Sequence, residues 1–192
     1  MVGLSRTGRR SENATRARNA IVFACVVLAW FALDALTKSY FNGSYEPGQA
    51  TAGPAADVFR FRLVHNTGMA WGMFDDSTLV LGVLSLAVCA ALAAYLFILS
   101  PRANLLEAVG VSLVVAGGLG NAADRFLLGY VVDFIEPTFI DFPVFNIADI
   151  GVTCGFVLFL AGIVLAGRRE SRGGHAGPDA PAPSEREGSD AR

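Results

Sequence analysis

The stretch Ser77–Pro101, STLVLGVLSLAVCAALAAYLFILSP, contains no charged residue. About 20 helical residues cross the hydrocarbon core of a bilayer, so this stretch is long enough to span one. In lipid every backbone N–H and C=O must be satisfied within the segment, which leaves helix as its form. Further apolar stretches of the same character flank it. The first runs from Ala20 to about Tyr40 and meets charge only near its end, at Asp34 and Lys38. The third, Asn104–Ala123, carries only Glu107 near its start, and the fourth, Asn146–Gly167, only Asp149 near its start. The expected fold is an all-α membrane protein, a four-transmembrane-helix bundle with spans at about 20–40, 77–100, 104–123 and 146–167.

Composition agrees. Of 192 residues, 53% are hydrophobic and 17% charged, and mean hydropathy is +0.48. A soluble domain carries roughly a quarter charged residues. A net charge of -2 with no dominant basic face argues against a nucleic-acid partner. Cys25, Cys89 and Cys154 all lie in apolar runs and read as small packing residues rather than as a disulfide framework or a thiolate metal site. Three regions follow: a basic tail at 1–19, a four-span unit at 20–167, and a polar tail at 168–192 that is expected to be disordered. His175, alone in that last tail, is not expected to be a ligand.

Basic residues set the orientation. Arg6, Arg9, Arg10, Arg16 and Arg18 precede span one, Arg102 lies between spans two and three, and Arg168, Arg169 and Arg172 follow span four. The positive-inside rule places all of these, and hence both termini, in the cytoplasm. Span one leads into SYFNGS rather than a small-residue cleavage site, so it reads as an uncleaved span. Asp34, Asp124 and Asp149 then converge on the outer face, where the segment after span three adds Asp133, Glu136 and Asp141. Ionisable groups at membrane depth are costly and are functional candidates by default. Plainer readings stand beside that one. Asp34 is followed at i+4 by Lys38 and suits a structural ion pair. Asp149 follows Asn146 at a helix start and suits a cap. Asp75, Asp76, Glu136 and Asp141 read as marks of loops and helix ends.

Two carboxylates in a partly desolvated site do not both ionise easily, so one holds a proton while the other stays a base. Hydrolysis of a peptide by water needs that pair. A zinc protease is disfavoured because His65 has no H-E-x-x-H partner, and no G-x-S-x-G elbow is present. A proton or ion relay, or a purely structural membrane protein, remains open on these residues alone.

The segments FALDALTKSYF, HNTGMAWGMF, GGLGNAADRFLLGYVVDFI and FPVFNIADIG together resemble the lipoprotein signal peptidase (signal peptidase II) family of bacteria, from about Ala20 to Gly167. The resemblance implies an aspartyl endopeptidase of the cell membrane, with its site near the outer face. Such an enzyme removes the signal peptide from diacylglyceryl-modified prolipoproteins just before the lipidated cysteine. No cofactor or metal is implied, and the partners expected are the prolipoprotein and membrane lipid, with a single copy sufficing. The catalytic pair it implies is Asp133 and Asp149, although position at the span ends alone favours Asp124 over Asp133. Residues implied to bind substrate or support the site are Asp34, Lys38, Asn66, Gly68, Asn121, Asp124, Arg125, Asn146 and Ala148, with Ala70 allowing close approach and Trp71 standing where the family usually has Phe. For Arg125, contact with substrate carbonyls, with lipid phosphate, or with Asp124 are all open. Gly117, Gly118 and Gly120 read as close helix packing. Between spans one and two, VFRFRLVH alternates, with Phe59, Phe61 and Leu63 on one side and Arg60 and Arg62 on the other, the arginines suited to lipid phosphates. The resemblance implies that this strand joins a small extracytoplasmic β-rich platform; a mobile lid from the segment after span three is a further expectation.

Overall fold

The computed structural model describes residues 6–51, 58–68 and 77–173. The expected features at Ala70, Trp71, Asp75, Asp76 and the tail from 174 onward, with His175, lie outside the described residues. Helices α1 (Arg6–Ser44), α2 (Thr78–Ala94), α3 (Leu105–Leu127) and α4 (Ile147–Gly173) are joined by strands β1 (Phe59–Asn66) and β2 (Val131–Pro137). A π-helical turn, Tyr95–Leu99, extends α2. With that turn, these are 4 helices long and apolar enough to cross a membrane.

Two boundaries differ from the sequence expectation. Helix α1 begins at Arg6, inside the basic stretch, rather than at Ala20. The extension is pinned to the α2–α3 turn: Arg102 bonds Glu12 at 2.8 Å, and Asn19 Nδ2 donates to the Ala103 carbonyl at 3.0 Å. Helix α3 continues past Ala123 to Leu127, so Asp124 and Arg125 sit on its last turns and not in the following loop. Gly129, at φ 81°, then reverses the chain into β2. A capping box starts α3, with Asn104 accepting the Glu107 N–H and the Glu107 side chain returning to Asn104.

Helix α3 is central and packs against α1, α2 and α4. Small residues make this possible, because a Cβ at Gly155 would lie 2.6 Å from the Gly110 carbonyl oxygen. A Cβ at Gly118 would press on the Sγ of Cys89. Cys89 is the one cysteine in the core; Cys25 and Cys154 are exposed, which corrects the reading of all three as packing residues. Leu28, Val80, Ile98 and Val157 likewise face outward, as expected where the solvent is lipid.

Strand β1 pairs antiparallel with β2, from Phe59 opposite Pro137 to Asn66 opposite Val131, with a bulge between Phe61 and Val64. Phe61, Leu63, Val132 and Phe134 pack with Phe41 of α1, whose ring stacks on Phe134 at 4.2 Å. This seats the sheet on the end of α1. Side chains alternate across a strand, so Asp133, between Val132 and Phe134, points away from that cluster. Arg60 and Arg62 both pair with Glu136 while their side chains stay partly exposed. Glu136 therefore lies in a strand with two cationic partners, not in a loop, and its hydrogen bond from Arg60 holds it below the ordinary carboxylate range.

Candidate active site

Four chain segments bring their polar ends to one place: the end of α1, the end of β1, the end of α3 with β2, and the start of α4. Asn146 is the hub. It precedes α4, and its Oδ1 accepts the Asp149 N–H at 3.0 Å while Asp149 Oδ2 accepts the Asn146 N–H at 3.1 Å. This reciprocal cap satisfies donors that open every helix. The cap reading of Asp149 thus holds geometrically, and it leaves Asp149 Oδ1 to accept from Asn121 Nδ2 at 2.8 Å. Asn146 Nδ2 turns the other way and donates to Asp133 Oδ1 at 2.7 Å and to Asn121 Oδ1 at 3.0 Å. One buried asparagine therefore touches both carboxylates.

Asp133 is 2% exposed. Its second oxygen accepts from Asn66 Nδ2 at 2.8 Å. Burial, aided by the neighbouring Asp149, pushes the Asp133 carboxyl up to about 7, against the hydrogen bonds from Asn66 and Asn146. Near neutral pH this acid is divided between its protonated and ionised forms.

Lys38 anchors the set from below. Its Nζ reaches Asp34 Oδ2 at 2.8 Å, Asp124 Oδ2 at 3.0 Å and Asn121 Oδ1 at 2.9 Å, which uses all the protons of an ammonium. Because Asn121 Oδ1 accepts from Lys38, its amide must present Nδ2 to Asp149. Asp34 is a structural carboxylate: its other oxygen accepts the Ala148 N–H at 2.9 Å. Asp124 also accepts the Val132 N–H at 3.1 Å, which ties β2 to the end of α3. Ala148 is fully buried, and the bare backbone beside it is needed: a Cβ at Gly117 would overlap the Ala148 carbonyl oxygen and one at Gly120 would overlap Asp34 Oδ2.

Arg125 makes no direct ion pair with Asp124, whose Oδ2 serves Lys38 and the Val132 N–H. Its Nη1 donates to the Asn121 carbonyl at 3.2 Å and its Nη2 to the Gly68 carbonyl at 3.3 Å, and its Nε is buried without a partner among the described residues. Gly68 in turn donates its N–H to Asn66 Oδ1 at 3.0 Å. His65 lies apart, stacked on Tyr130 and bonded to Asn42.

Of these groups, Asn66, Gly68, Asn121, Arg125, Asp133 and Asp149 line a cavity of about 540 Å³. Sequence reasoning missed its other walls. Phe142 to Phe145 form one, and Ile150, Thr153 and Cys154 of α4 form another. The α4 wall was findable, since its residues recur at helical spacing from Asp149. Cys154 is exposed, so this wall reaches the outward, lipid-facing side of the bundle.

Fold and site define a multi-pass membrane protein with two carboxylates, buried Asp133 and half-buried Asp149, held together at one end of its bundle. A family model described as signal peptidase (SPase) II matches residues 26–165. The lipoprotein signal peptidase of Gloeothece citriformis is 42% identical over 140 residues, covering 72% of this chain and 87% of its own length. That of Nostoc punctiforme is 37% identical over 145 residues, covering 76% and 90%. A solved bacterial membrane enzyme superposes with a TM-score of 0.67 at 27% identity, over 84% of this chain and 93% of that one. The chain belongs to the signal peptidase II family, the lipoprotein signal peptidases.

Proposed function

We propose that this protein is an aspartyl endopeptidase of the bacterial cell membrane that removes signal peptides from prolipoproteins, cutting before a diacylglyceryl-cysteine. The observation that carries the reading is the pair Asp133 and Asp149 joined through Asn146, with one carboxyl raised to about 7. Asp149 takes a proton from water as the oxygen attacks the scissile carbonyl, and protonated Asp133 gives its proton to the carbonyl oxygen. The gem-diol then collapses: Asp133 recovers a proton from it, Asp149 protonates the leaving cysteine nitrogen, and the C–N bond breaks. Both carboxyls end as they began, and no metal takes part.

A substrate anchored by two acyl chains at roughly 0.8 kcal/mol per buried methylene does not leave the bilayer, so the enzyme has to admit it sideways. The apolar α4 wall beside the polar groups suits such entry. The arginines at the start of α1, in the α2–α3 turn and at the end of α4 lie at the opposite end of the bundle, which by the positive-inside rule supports a site at the outer face and cytoplasmic termini.

Purified protein is expected to cleave a diacylglyceryl precursor peptide equally well with and without a chelator, and to leave the unlipidated peptide intact. No cleavage, together with proton flux in vesicles, would overturn the reading in favour of a translocator. The pH dependence has a definite sign. Asp133 must be protonated to donate, so kcat/KM falls as pH rises through about 7. Asn66→Ala removes a hydrogen bond that favours the ionised form, so it moves this limb to higher pH; a limb that stays in place or moves down contradicts the assignment.

A further inference from the structure

Helix α1 presents Trp30, Asp34 and Lys38 four residues apart, on one face. Asp34 and Lys38 hold the site as described, whereas Trp30 lies about two turns from Lys38 toward the bundle centre and touches none of the reacting groups. Its indole Nε1 donates to the Ile147 carbonyl at 3.0 Å. One turn on, Asp34 Oδ1 accepts the Ala148 N–H. Consecutive residues of the first turn of α4 are therefore gripped through their backbone from a single face of α1, and the next residue is Asp149. The grip also has a fitted socket. At Gly151 an added Cβ would overlap Trp30 Nε1 and come within 2.9 Å of Cδ1, so the ring lies on the bare backbone of α4.

We propose that Trp30 is a positioning residue for the hydrolysis, fixing the first turn of α4, and with it Asp149 and Asn146, at working distance from Asp133. This rests on the peptidase reading above. The argument is geometric. The Ile147 carbonyl has two lone pairs and accepts the indole N–H in addition to its place in the helix. In lipid that N–H has no water to turn to, so the bond is held firmly. The remaining grips on this turn come from side chains that also serve the carboxylates themselves. Trp30 acts only on backbone, so removing it shifts the turn while every polar contact of the pair keeps its chemical partner. Reactions of positioned groups lose much of their rate on displacements of about 1 Å.

The test uses the full-length enzyme, lipidated precursor peptide, and amounts normalised to folded protein by gel filtration. Trp30→Phe keeps a ring and removes the N–H. It is expected to lower kcat by roughly 10- to 100-fold with KM unchanged. Gly151→Ala is expected to lower kcat by pushing the indole off α4. Trp30→Phe in the Gly151→Ala background should partly restore it, because the smaller ring yields the space. Wild-type kcat in Trp30→Phe overturns the proposal. So do equal losses in Trp30→Phe and Gly151→Ala that multiply in the double variant, since independent packing defects add in free energy. Failure of the wild-type enzyme in the same assay would instead reject the peptidase reading, so the two are separable.

Discussion

Asp133→Asn and Asp149→Asn are each expected to lower kcat/KM on a lipidated precursor by roughly 10²- to 10⁴-fold, with the protein still inserting in the membrane. Asn cannot take or give the proton that either step requires. The network adds a second cost. Asp133 receives donors from Asn146 and Asn66 on its two oxygens, and Asp149 receives them from Asn121 and the Asn146 backbone. An amide at either position sets an NH₂ against one of these donors. Asn121 cannot turn to relieve this, because its oxygen is held by Lys38 and Asn146. The variants also separate in their electrostatics. Asp149→Asn removes a negative charge that helps raise Asp133, so the Asp133 carboxyl titrates below about 7 and its protonated infrared band disappears at lower pH. Asp133→Asn acts on stability. A carboxyl raised from 3.8 to about 7 in the folded state contributes stability that is complete below the lower value and is lost as pH rises through the upper one. The Asn variant lacks that loss, so its unfolding midpoint in detergent should fall less between acid and neutral pH than that of the wild type. Normal cleavage by either variant removes both from the catalytic step.

Much of the fold was open to reading because the bilayer imposes a length and forbids charge. Ser77–Pro101 and its counterparts declared themselves by that rule alone. Local chemistry was also legible where both partners lie within a helical turn, as in Asn146 with Asp149 or Asp34 with Lys38. What could not be read depended on pairings distant in sequence. The span-end ranking preferred Asp124 to Asp133 because Asp124 closes an apolar helix, yet Asp124 turns to Lys38 and the Val132 N–H. Asp133 reaches the site because β2 pairs with β1 and alternation turns it opposite to Phe134, toward Asn66, which lies 67 positions earlier. The pairing of Arg60 and Arg62 with Glu136 was likewise invisible, because it depends on β1 lying beside β2. Trp30 had no sequence signal of any kind, since its acceptor is a backbone carbonyl and every residue has one.

Lys38→Met is expected to destabilise the folded protein by about 3–5 kcal/mol, one of the largest effects available to a single substitution here. Lys38 and Asp34 are 4% and 2% exposed at their side chains, and the same ammonium also serves Asp124. Methionine fills the volume but removes the cation that the Asp34 and Asp124 side chains share, and a buried charge without a partner costs more than the pair gained by forming. Lys38→Arg does not repair this. The three acceptors surround a compact ammonium, whereas a guanidinium presents its donors in a flat fork and needs space that the Asp34, Asn121 and Asp124 side chains occupy. Asp34→Asn should cost far less, because its oxygen can still accept the Ala148 N–H and Lys38 keeps Asp124 and Asn121. Lys38→Met combined with Asp34→Asn should therefore lie above Lys38→Met alone in stability, since one stranded charge is gone. Activity sharpens the comparison. Without Lys38, nothing fixes which end of the Asn121 amide faces Asp149, so the Lys38→Met enzyme that remains folded should lose turnover, and the double variant should recover stability without recovering rate. Unfolding in detergent and kcat on the same preparations decide it; a Lys38→Met protein that melts and turns over like the wild type would mean that the buried carboxylates are protonated and need no cation.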